Sequence, residues 1–148
     1  MSHRVLIFLL TAAVALAAAI PAAGRTAERG IELAGGSGRA TLSLRGAALG
    51  VLGQGRLAVT VYPGRDRPQI LVEGFAWVRK SGETTVYGGR GIRFRVFRGS
   101  WRIRLTGRGI NASAVGRGFV GLEGSGRYAL SGSDYVSWPA EYRTIRLG

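Results

Sequence analysis

Residues 91–106 read Gly91-Ile92-Arg93-Phe94-Arg95-Val96-Phe97-Arg98-Gly99-Ser100-Trp101-Arg102-Ile103-Arg104-Leu105-Thr106. Apolar and charged side chains alternate on both sides of Arg98-Gly99, the two-residue period of a half-buried strand. Glycine at the second position of a two-residue loop is a strong hairpin signal. Folding the segment back at 98–99 sets Ile92 opposite Leu105, Phe94 opposite Ile103 and Val96 opposite Trp101 on one side. Arg93 then faces Arg104, and Arg95 faces Arg102, on the other. The segment therefore predicts a hairpin with an apolar face for the core and a block of four arginines outside. Like charges directly across a ladder cost roughly a few tenths of a kcal/mol per pair. Three things could compensate: acidic neighbours (Glu73, Glu83, Glu123, Asp134 or Glu141), solvation, or a bound anion. The last makes Arg93, Arg95, Arg102 and Arg104 a candidate anion-binding set.

The same pattern extends along the chain. Strand-like stretches fall at 39–44, 47–52, 56–62, 69–73, 75–80, 84–87, 91–97, 100–106, 109–115, 118–122, 126–131, 134–137 and 141–147. Glycine-containing punctuation separates them at Arg45-Gly46, Gly53-Gln54-Gly55, Pro63-Gly64, Ser81-Gly82, Gly88-Gly89, Arg98-Gly99, Gly107-Arg108-Gly109 and Ser131-Gly132. Turn signals every 8–10 residues or so, without helical periodicity, predict an all-β fold: an antiparallel sandwich or barrel of about 10–13 short strands. A β-solenoid is the alternative, because Gly-x-Gly recurs throughout, although at uneven intervals. Glu73-Gly74 returns at Glu123-Gly124 and Ser81-Gly82 at Ser131-Gly132, which suggests two duplicated halves, 38–87 and 91–137. The apolar parity of 40–51 is shifted against that of 91–106, which argues against a strict repeat.

The N-terminus sets the compartment. Ser2-His3-Arg4 precedes a charge-free apolar run, Val5 to Ile20, and then Pro21-Ala22-Ala23-Gly24. Basic, apolar and small residues in that order are the layout of a secretory signal peptide. Residues 1–24 are therefore expected to be removed, leaving one all-β domain over 25–148. The apolar run is shorter than the roughly 20 residues that span a bilayer core, so membrane attachment is expected only through an uncleaved N-terminus. The protein is expected to be secreted or to reside in the cell envelope or periplasm.

Composition then narrows the chemistry. The chain has no Cys and a single His, His3, which lies inside the expected signal. Without those residues the exported domain lacks the parts of a Ser-His-Asp triad, a Cys-His pair or a standard zinc site. No phosphate-binding Gly-x-x-x-x-Gly-Lys loop is present, and the Gly-x-Gly strings lie between strands rather than ahead of a helix. No cofactor or metal is expected, and the protein reads as a non-enzyme. A carboxylate-only hydrolase built on Glu73 and Glu123 is the remaining catalytic scheme.

Charge points instead to a partner. Lys and Arg total 21 against 8 Asp and Glu, a formal net charge of +13, and Lys80 is the single lysine. Arginine makes bidentate contacts to phosphate and carboxylate. An anionic polysaccharide or other polyanion of the cell envelope is the expected partner, and export argues against nucleic acid. The loop around Asp134 is polar and aromatic, so Tyr135 and Trp138 form a candidate carbohydrate edge. Two further readings stand beside the polyanion one: a barrel carrying an apolar ligand inside, and a structural or assembly domain with no ligand.

Overall fold

The computed structural model describes residues 29–64 and 66–148; the expected signal peptide lies outside them. Seven strands make one antiparallel sheet: β1 (Arg29–Val61), β2 (Gln69–Glu73), β3 (Trp77–Ser81), β4 (Thr84–Phe97), β5 (Ser100–Leu130), β6 (Val136–Ser137) and β7 (Arg143–Leu147). Their order is β2-β4-β1-β5-β6, with β3 also on β4 and β7 also on β5. A solenoid stacks successive parallel coils. This chain pairs antiparallel throughout, so the solenoid alternative does not describe it. Among the described residues no ladder joins β2 or β3 to β6 or β7, and the sheet does not close.

Two strands are much longer than usual. β1 has 33 residues and β5 has 31, against a typical five or six or so. They run as one antiparallel ribbon from Ile31↔Leu130 to Val61↔Trp101. The ribbon also returns beside itself. Ala114 pairs with Ile31 on one side and with Ala48 on the other, so β5 lies between the two halves of β1.

Glycine makes this possible. Gly124, Gly38, Gly107, Gly55 and Gly89 are successive cross-strand partners, forming a line across five neighbouring segments. All five have φ between 126° and 145°, a region from which a Cβ excludes other residues. A Cβ on Gly55 would overlap the carbonyl oxygen of Thr106, and one on Gly107 that of Gln54. The sheet folds along this crease. A second bend occurs at the Gly46↔Gly116 pair.

Folding gives two layers. The first contains 30–36, 47–52, 92–97, 110–115, 127–130, β2 and β6. The second contains 39–45, 56–61, 84–88, 100–106, 117–123, β3 and β7. The apolar residues of each face inward into one cluster. Leu52, Ile92, Phe94 and Ile110 come from the first layer; Leu42, Leu57, Trp101, Ile103 and Leu105 come from the second. Trp101, 1 % exposed, donates its indole N–H to the Gly46 carbonyl at 3.0 Å. Burying such a side chain contributes about 2–3 kcal/mol.

The 91–106 segment departs from the sequence reading. Ile92, Phe94, Val96, Trp101, Ile103 and Leu105 are all buried, and the intervening arginines are exposed, as alternation requires. Yet the two arms do not pair with each other. Residues 92–96 pair with 48–52 of β1 and 93–97 with β2, whereas 100–106 pair with 39–45 and 56–61. Arg98 (φ 61°) and Gly99 (φ 76°) turn the chain from one layer to the other. The Gly99 carbonyl accepts from Gly46 N–H at 3.1 Å, tying the turn to the second bend.

Candidate functional site

Because the arms of 91–106 belong to different layers, their arginines point out on opposite sides. Arg93 and Arg95 lie on the first layer and Arg102 and Arg104 on the second. The expected four-arginine block is therefore two separate pairs. The paired-carboxylate scheme meets the same geometry. Glu73 lies on the first layer, 3.6 Å from Arg93, while Glu123 lies on the second and binds Arg39 at 2.6 Å.

The second layer gathers most of the basic charge. Its outward strand positions include Arg102 and Arg104 at the centre, Arg39 and Arg45 on β1, and Arg56 beyond them. Arg79 on β3 and Arg146 on β7 extend the array to both margins, and Arg117 stands beside Arg45 in the ladder. Glu123 is the one acid at an outward strand position of this layer among the described residues. It is taken by Arg39, and Asp66, from the neighbouring loop, is taken by Arg45 at 3.0 Å. These exposed pairs are worth about 0–1 kcal/mol each. No ion pair among the described residues reaches Arg102 or Arg104.

Hydroxyls and apolar side chains share the spaces between these cations: Ala58 and Val86 stand between Arg104 and Arg79, and exposed Phe119 between Ser43 and Arg146. Arg102 Nε donates to Ser43 Oγ at 3.1 Å, and the Thr60 and Thr84 hydroxyls share a hydrogen bond at 2.9 Å. Thr41, Thr106 and Thr144 occupy neighbouring outward positions. Arg102 and Arg104 stand two residues apart on one strand, about 6.7 Å. Arg79 is three strands from Arg104, about 14 Å away. The result is a spread array of guanidinium and hydroxyl donors.

The first layer's outer face is different. Its outward strand positions hold Arg93, Arg95 and Arg127 against Glu32 and Glu73. Leu71 (52 % exposed), Leu49 (45 %) and Val51 (40 %) lie among them. The face carries a half-open depression of about 640 Å³ over Leu49, Val51, Leu71 and Arg95. Tyr135 stands at its rim and donates its hydroxyl to Glu32 Oε2 at 2.6 Å. That bond to a carboxylate raises the Tyr135 pKa above its ordinary value.

Trp138 does not join Tyr135 as a sugar platform. It is 5 % exposed, donates Nε1–H to the Arg127 carbonyl at 3.0 Å, and packs over Gly36 and Gly126. A Cβ on Gly36 would overlap the indole. The aromatic composition of 133–139 could be read from the sequence, but the glycine seat that buries this ring could not. The space between the layers is filled by Trp101, Phe94 and the aliphatic core, where a carrier would hold its cargo.

Compared with known proteins, the chain matches no family model, no curated protein and no solved structure at a significant level.

Proposed function

We propose that this chain is an exported, non-catalytic β domain that binds an extended polyanion of the cell envelope across the outer face of its second layer. The observation that supports the reading is the division of charge. Eight arginines stand at outward strand positions of one layer, while the other layer's outward charges nearly cancel. Arg102 and Arg104 form the centre of the binding face. Arg56 and Arg79 extend it to one side, and Arg146 to the other. Hydroxyls from Ser43, Thr60 and Thr84 supply donors to sulfate, phosphate or carboxylate oxygens between the cations. A spread array of this kind favours a polymer with repeated charges over a single small anion.

The test is retention on immobilised heparin, a model polyanion. The reading predicts binding that survives about 0.5 M salt, where the screening length falls to roughly 4 Å and bulk attraction is lost. The double variant Arg102→Gln with Arg104→Gln should elute earlier and lower the salt slope by roughly 2. Arg93→Gln with Arg95→Gln removes the same charge from the other layer and should leave the slope nearly unchanged. Equal effects of the two double variants would reduce the attraction to net charge and overturn the reading.

A further inference from the structure

The concavity on the first layer is independent of the basic face, and its lining is chemically specific. Three outward aliphatic side chains, Leu49, Val51 and Leu71, form its apolar surface. Arg95 stands between two of them, paired with Leu49 on one side and Leu71 on the other. Both carboxylates of the lining are engaged: Glu73 lies 3.6 Å from Arg93, and Glu32 accepts from Tyr135. Arg95 has no ion-pair partner among the described residues. A guanidinium flanked by leucines is matched by a ligand that unites one anionic head with an apolar body. We propose that this concavity binds a small amphiphilic monocarboxylate, its carboxylate on the Arg95 guanidinium and its chain along Leu49, Val51 and Leu71.

Shape and size both favour a small ligand here. A two-fold dimer needs a self-complementary surface. Two concave faces brought together would leave a void and strand Arg95 against a second Arg95. The volume of about 640 Å³ is within the ordinary span of small-molecule sites, roughly 300–1,000 Å³. Asn111 and Ser113 on the neighbouring strand add polar groups to the lining. Asn111 Oδ1 already accepts from Gly35 N–H at 3.0 Å, which fixes that side chain in place.

The experiment titrates the purified chain with octanoate, octanol and butyrate, reading backbone amide shifts by NMR. Octanoate should bind in the sub-millimolar range and move the amides of Leu49, Val51, Leu71 and Ser113. Octanol lacks the anion and butyrate lacks most of the apolar body; each should bind at least about tenfold more weakly. Arg95→Gln should erase the preference for octanoate over octanol. Leu71→Ser, at an exposed position, should weaken octanoate while leaving the melting temperature nearly unchanged. Lys80→Gln, exposed on β3 and away from the concavity, should leave octanoate affinity unchanged. Three results would each overturn the proposal: equal binding of octanoate and octanol by the parent chain, full octanoate affinity in a folded Arg95→Gln variant, or no shift up to about 10 mM octanoate.

Discussion

The two outer faces of this protein are made by the same strands and differ sharply in chemistry. β1, β4 and β5 each cross the glycine crease and contribute to both layers. On one side of the crease their outward residues are mainly arginine, serine and threonine, with Ala58, Val86, Phe119 and Glu123 among them. On the other they are leucine, valine and a few charges, of which two of the glutamates already have partners. A strand of ordinary length presents one outward face. A strand folded at a glycine presents two, and their compositions are free to diverge. That is how one sheet, with no helix among the described residues, can hold a basic surface and an apolar concavity back to back.

The largest expected effect comes from breaking the crease itself. Gly107→Ala places a methyl group onto the Gln54 carbonyl at a positive φ. Strain there costs about 1–3 kcal/mol, and the overlap adds to it. The variant should lose at least about 3 kcal/mol in urea unfolding or fail to fold. Gly82→Ala is the contrast. It shares a positive φ, but nothing lies within 4 Å of its Cβ position, so it should cost only about 1–2 kcal/mol. Similar losses at the two positions would show that the crease is held by conformation alone, without close strand approach.

Smaller effects sharpen the difference between the faces. Arg98 is the non-glycine residue with positive φ among the described residues, and it sits where the chain passes between layers. Arg98→Gly should raise stability by about 0.5–1 kcal/mol in the same unfolding assay, the relief of left-handed backbone being partly offset by chain entropy. The smallest effect belongs to the concave face. The Tyr135–Glu32 hydrogen bond holds the hydroxyl protonated, so its pKa is raised. The bond's stabilisation is therefore fully present below the ordinary tyrosine pKa and is lost as pH rises through the raised one. Ultraviolet titration should show the Tyr135 hydroxyl ionising above the ordinary tyrosine value, and Glu32→Gln should lower it.

Strand positions and burial were legible in the residues, and pairing partners were not. Alternation in 92–96 and 101–105 correctly marks which side chains enter the core. It carries no information about which strand lies alongside. The Arg98-Gly99 turn has the positive φ values of a tight hairpin loop, yet the longer ladders with β1 and β2 decide where each arm goes. Glycine was the ambiguous signal. Ser81-Gly82 and Ser131-Gly132 are true turns, as read. Arg45-Gly46, Gly53-Gln54-Gly55, Gly88-Gly89 and Gly107-Arg108-Gly109 look alike in sequence but are bends inside continuous strands. The line of glycines appears only once the register is known, because its members lie 17 residues or more apart along the chain. The basic face was hidden for the same reason: its arginines come from four strands, β1, β3, β5 and β7.

The folding of the sheet along that line is the claim on which both faces depend, and the absence of native cysteine makes it directly testable. Two double-cysteine variants are oxidised separately under mild conditions. Leu49→Cys with Arg95→Cys joins cross-strand partners within one layer, at Cβ separations of about 4.5–5.5 Å. Arg95→Cys with Arg102→Cys joins positions on opposite faces, farther apart than the roughly 10 Å between stacked sheets and beyond disulfide reach. The account predicts an intramolecular disulfide in the first variant and free thiols in the second. Rapid disulfide formation between 95 and 102, with none between 49 and 95, would contradict it.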